Sequence, residues 1–184
     1  MMQKFKVDYG FVLLLCALYL LDYQNLFLWT MLASAVHECG HIFVVYLSGN
    51  RLSQIRLSLF GACIDLEGAN HISYATEAVI AAGGPIFGLL FSILFASCCP
   101  VFSGINLCLS FFNLLPVAPL DGGKILRSVL CCFFDVDHVD QCLKYLSVAI
   151  GLTLSSVVLF LSRSAQCTVG MILFSAFVIC LCLR

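Results

Sequence analysis

Leu26 to Ser48 reads LFLWTMLASAVHECGHIFVVYLS, and the pentad inside it, His37-Glu38-Cys39-Gly40-His41, decides how the chain is read. As a helix this stretch is about 35 Å long, enough to cross a hydrocarbon core of about 30 Å. Histidines four apart share one helix face, and the Glu between them is placed to deprotonate a metal-held water. Two imidazoles and a carboxylate in hydrocarbon are costly unless something compensates. A bound zinc does so, because it takes neutral imidazoles and offsets the desolvation of an anion. The pentad therefore predicts a zinc hydrolase with its active site in the bilayer.

Composition agrees. The 184 residues are 62% hydrophobic and only 10% charged, with mean hydropathy +1.07. A soluble domain of this length needs more polar cover, so the class is integral membrane. No basic run exists, which excludes nucleic-acid binding. The 12 cysteines do not form a disulfide framework. Cys16, Cys98, Cys99, Cys108, Cys180 and Cys182 lie in or beside apolar runs, where Cys packs as a small hydrophobe. No C-x-x-C pair offers a zinc knuckle, and Cys131-Cys132 reads as interfacial packing. The apolar run from Phe11 to Leu21 is preceded by Lys4 and Lys6, yet no small-x-small cleavage site follows it, so it reads as a span and not a signal peptide.

Hydropathy predicts six spans, near 9–23, 26–48, 77–98, 102–118, 142–161 and 167–183. With the N-terminus in the cytoplasm, Lys4, Lys6, Arg51, Arg56, Lys124, Arg127, Lys144 and Arg184 all fall on the cytoplasmic side and only Arg163 falls outside. That bias fixes the orientation, with both termini cytoplasmic. His37 to His41 then lies in the inner half of the second span. The expected fold is all-α and membrane-embedded. Partial alternation between Leu52 and Leu66 around Gly61 adds a short cytoplasmic β-hairpin after the second span, or an amphipathic surface segment. In the third span, Gly83-Gly84-Pro85 predicts a break or kink and a close backbone approach.

A catalytic zinc takes three protein ligands and leaves one position for water. Asp8 and Asp22 flank the first span. Asp65, Glu67 and Glu77 belong to the long loop. Asp135, Asp137 and Asp140 read as a solvated acidic loop, and His71 and His138 as exposed loop histidines. Asp121 differs. It ends the fourth span in Asn113-Leu114-Leu115-Pro116-Val117-Ala118-Pro119-Leu120-Asp121-Gly122-Gly123, on the side the histidines approach. Two prolines hold the backbone extended before it and two glycines permit a tight turn after it. Capping a helix that starts near Gly122 is the competing role for Asp121, but capping explains neither the prolines nor the glycine pair.

HECGH in a second span, with NLLPVAPLDGG ending a fourth, resembles the site-2 protease family of intramembrane zinc metalloproteases, peptidase family M50. The compact six-span pattern is most similar to the stage IV sporulation protein FB group. The resemblance implies a single metalloprotease domain over 1–184, its core spans about 26–127, without PDZ or CBS domains. It implies one zinc per chain on His37, His41 and Asp121, with Glu38 activating the water. It also implies that Asn113 steadies the substrate or the oxyanion. Gly84-Pro85 resembles the family's Gly-Pro motif. The asparagine that often follows three residues after that proline is Gly88 here, which removes that side chain from any substrate-positioning role. The implied activity is regulated proteolysis of a transmembrane or membrane-associated segment near the cytoplasmic face, of a sporulation-type precursor for example, with a regulatory membrane partner. The competing classes are a transporter with an intramembrane His/Asp ion site, which predicts polar residues spread over several spans, and a catalytically silent relative that retains membrane partners, against which the intact Glu38 argues.

Overall fold

The structure, a computed structural model, describes residues 4–7, 9, 15–16, 19–20, 22, 25–50, 52–58, 61–66 and 72–162. Most of the first predicted span, all of the sixth, and Glu67, His71 and Arg163 lie outside them. The elements run β1 (Lys4–Val7), α1 (Phe27–Leu47), β2 (Leu52–Ser58), β3 (Gly61–Leu66), α2 (Tyr74–Phe95), α3 (Pro100–Asn113), α4 (Asp121–Leu130) and α5 (Val136–Ser162). The chain forms two compact units, Met1–Asn113 and Leu114–Arg184.

Among the described residues, the first unit holds the helices α1, α2 and α3 and a three-stranded sheet. α1 begins where Asp22 accepts from two of the backbone N–H groups a helix start leaves unpaired: Leu26 N–H on Oδ1 and Phe27 N–H on Oδ2, both at 2.8 Å. That use accounts for Asp22 without a metal. α2 is capped by Ser73 Oγ, which accepts from Thr76 N–H at 3.2 Å. The two helices meet backbone to backbone. A Cβ on Gly40 would lie 2.5 Å from Gly83 O, and one on Gly83 would lie 2.7 Å from Gly40 O. Small residues allow this approach where lipid supplies no hydrophobic drive between helices. The expected break in the third span is absent, since α2 runs through Pro85. Gly83 and Gly84 serve proximity instead of flexibility. α3 joins α2 through Ser103 Oγ, which donates to Ser92 O at 2.7 Å, and through Phe102, whose ring meets Phe95 edge-on at 5.3 Å.

β2 pairs antiparallel with β3, and β1 pairs parallel with β2, giving the order β1-β2-β3. The strand at Lys4–Val7 was not expected from sequence. Four residues are too few for alternation to register, and parallel pairing is a non-local contact.

In the second unit, the expected fourth span divides. Helix α3 stops at Asn113, residues 114–120 are non-helical, and α4 starts at Asp121. The glycine pair lies inside α4 and makes no turn. A Cβ on Gly122 would lie 2.5 Å from Leu115 O, and one on Gly123 would lie 2.5 Å from the Val117 carbonyl carbon. The glycines let the unwound strand fold back against the helix start. Ala118 N–H donates to Ser147 Oγ of α5 at 2.9 Å and ties the segment down. Cys131, Val139 and Leu143 form a small core with Leu126, Leu130 and Val136 around it. Asp137, His138 and Asp140 lie on the first turns of α5, not in a loop, and Arg127 grips Asp140 with two bonds of 2.6 and 3.0 Å.

Among the described residues, three helical stretches are long and apolar enough to cross a membrane: Phe27–Leu47, Tyr74–Phe95 and Val136–Val158. Their exposed residues include Leu28, Leu32, Phe43, Ile86, Leu90, Ile93 and Leu152. So much apolar surface in the open is what a lipid-facing exterior requires.

Candidate metal centre

His37 and His41 are buried on one face of α1, 5% and 7% exposed. Their rings meet edge to face, with centroids 4.9 Å apart, and their Nε2 atoms are 3.2 Å from each other. Two facing nitrogen lone pairs repel unless a proton or a cation lies between them. Tetrahedral zinc, with bonds of about 2.0–2.1 Å to nitrogen, sets its ligand nitrogens about 3.3 Å apart. The pair already has the spacing that this ion demands.

Helix α2 orients the pair. His41 Nδ1 lies 2.9 Å from Ile80 O and 3.3 Å from Gly84 N. One nitrogen cannot donate to the first and accept from the second. The shorter contact decides: Nδ1–H donates to the carbonyl, which leaves the lone pair on Nε2. Gly84 is the floor under both rings. A Cβ there would lie 2.7 Å from His37 Nε2 and 2.7 Å from His41 Cε1, and closer still to His41 Nε2. Glu38 follows His37 on α1, turned about 100° round the helix, and is half-buried.

Asp121 belongs to the second unit. It is 4% exposed and is the first residue of α4, whose N-cap is Leu120 and makes no side-chain cap bond. A carboxylate at that end is favoured by the helix dipole. Lys124, one turn on, donates from Nζ to Asp121 Oδ1 at 3.2 Å. Asn113, at the last turn of α3, is half-buried and donates from Nδ2 to Leu109 O at 3.0 Å. Sequence reasoning named the histidines, Glu38, Asp121 and Asn113 as candidates. It missed the Ile80 carbonyl, which carries no side-chain signal, and it read Gly84 as a kink and a close backbone approach without naming the imidazoles as the neighbours. It also passed over Lys124, whose i+3 spacing from Asp121 was there to be seen.

The profile of peptidase family M50 matches residues 97–158, from α3 through the Asp121 helix into α5. Over that stretch the chain is similar to the M50 peptidases. A Synechocystis sp. protein carrying a zinc metalloprotease name is 34% identical over 113 residues, 54% of this chain and 30% of that protein. Stage IV sporulation protein FB of Bacillus subtilis is 29% identical over 127 residues, 63% of this chain and 44% of that one. The chain thus spans less than half the length of these curated relatives. Among solved structures, the site-2 protease from Methanocaldococcus jannaschii superposes with a TM-score of 0.72 over 98% of this chain and 90% of that one, at 23% identity. That agreement shows the fold: a mostly helical membrane protein of site-2 protease type.

Proposed function

We propose that this chain is an intramembrane zinc metalloendopeptidase that cuts a transmembrane or membrane-associated protein segment near the cytoplasmic face. The observation that carries the reading is the buried Nε2 pair at 3.2 Å, close to the separation of two nitrogen ligands on one tetrahedral zinc. His37, His41 and Asp121 are assigned as the ligands of one zinc. All three are buried and each offers a ligand atom. Two neutral imidazoles and one carboxylate are a donor set for catalytic zinc, with a fourth position left open.

Zinc bound there would supply Lewis acidity, drawing the pKa of a water toward neutrality and polarising a carbonyl. The chain's own residues supply the rest. Glu38 accepts the proton of the attacking water and returns it to the leaving amine. Asn113 keeps one amide hydrogen beyond its bond to Leu109 O, and that hydrogen is assigned to the carbonyl oxygen of the substrate. Ile80 O holds His41 in the tautomer that ligation needs. A substrate helix hides its carbonyls in backbone bonds, so it enters locally unwound. The sheet over 52–66 offers it a strand edge. Both termini are placed in the cytoplasm from the basic residues, and a regulatory membrane partner is the expected control on access.

Cleavage of co-expressed candidate membrane substrates in isolated membranes tests the reading. Cleavage is expected to stop on chelation and to return when zinc is restored. Cleavage that persists in zinc-stripped membranes would exclude it.

A further inference from the structure

Asn106 and Ser110 are four residues apart on α3 and share one face, which Asn113 continues at the next turn. Both are 0% exposed. Asn106 Nδ2 donates to Phe102 O at 2.8 Å, but Asn106 Oδ1 and Ser110 Oγ have no hydrogen-bond partner among the described residues. Facing them on α2 is Gly88. A Cβ there would collide with Ser110 Oγ and lie 3.5 Å from Asn106 O, so only glycine leaves the hydroxyl its place. Gly88 is one turn along α2, about 6 Å, from the Gly84 that floors the two imidazoles. An unsatisfied polar atom is expensive inside hydrocarbon, where no lipid group can take the place of a partner. Two on one face, so close to the histidines, mark a site with a guest.

We propose that Asn106 Oδ1 and Ser110 Oγ hold a buried water beside Gly88, a reserve inside the bilayer one helical turn from the metal ligands. The chemistry selects water. An apolar guest would leave both atoms unpaired. A cation needs more charge than one amide and one hydroxyl provide. A peptide needs an opening that residues at 0% exposure do not have. Side chains four apart have Cβ atoms about 5–6 Å from each other, a gap that one water spans with a bond to each. The water donates to the amide oxygen and exchanges a hydrogen bond with the hydroxyl. That the reserve feeds hydrolysis rests on the protease reading. The site itself does not.

Radiolytic hydroxyl labelling of the full chain in lipid nanodiscs reads the site without any cleavage. Radicals formed on a held water mark side chains close by, and Phe102, whose carbonyl accepts from Asn106, is the reporter because it is only 7% exposed. Phe102 is expected to be labelled in the intact chain and several-fold less in the Asn106→Leu/Ser110→Ala double variant. A single Gly88→Ala change, which pushes the hydroxyl aside, is expected to lower the label as well. No label in the intact chain, or equal label in all three, would overturn the site. For the supply role, turnover of the double variant should fall about ten-fold with its zinc content unchanged. Unchanged turnover would overturn that role, while loss of cleavage by chelation in the intact chain separately upholds the protease reading.

Discussion

Replacing Glu38 by Gln is expected to lower peptide cleavage by about 10²–10⁴-fold, the usual contribution of a positioned general base, with zinc content unchanged. Gln keeps the length and hydrogen-bonding capacity of the side chain but cannot accept a proton at neutral pH. Neither the 3.2 Å spacing of the Nε2 atoms nor the contact between His41 and Ile80 O depends on Glu38. The variant thus separates holding the metal from using it. Zinc analysis and single-turnover cleavage on the same preparation check both halves. Wild-type turnover by the Gln variant would remove Glu38 from the proton transfer.

The second large effect is expected at Gly84. A methyl group there would sit 2.7 Å from His37 Nε2 and nearer still to the His41 ring nitrogen. One imidazole must rotate, or α2 must move off α1. The helices cannot part freely, because Gly40 and Gly83 hold their backbones at contact distance. Overpacking of this kind costs about 1–3 kcal/mol. Since about 1.4 kcal/mol is a factor of ten, Gly84→Ala is expected to weaken zinc binding by about ten-fold or more, with a smaller loss of thermal stability. Competition against a chelating dye measures the first and a melting curve the second. Unaltered zinc affinity would mean that the imidazoles do not meet over Gly84.

Local spacing made most of the candidate site legible in the sequence. Two histidines and a glutamate within one turn and a half of helix are neighbours whatever the rest of the chain does. Asp121 was legible because the Asn113–Gly123 stretch has too many helix breakers for an ordinary span end. Glycines were harder. Gly83-Gly84-Pro85 suggested a break or kink as well as a close backbone approach, and Gly122-Gly123 a tight turn; all four glycines lie inside helices where a Cβ would strike a neighbour, so only the close approach is seen. Which neighbour each glycine admits is set by another segment, and no local pattern names it. β1 escaped notice for the same cause, since Phe5 and Val7 find partners at Ile55 and Leu57 across the intervening α1. The acidic run from Asp135 to Asp140 suggested a solvated loop, although acidic residues at a helix start complement its dipole, as Asp137 does on α5.

Zinc stoichiometry and affinity of the purified chain, beside its Asp121→Asn variant, test the central claim most directly. The intact chain is expected to carry one zinc, and the variant to lose it or bind it at least ten-fold more weakly while keeping its fold. An Asp121→Asn chain that holds one zinc with undiminished affinity would contradict a three-ligand centre built on His37, His41 and Asp121.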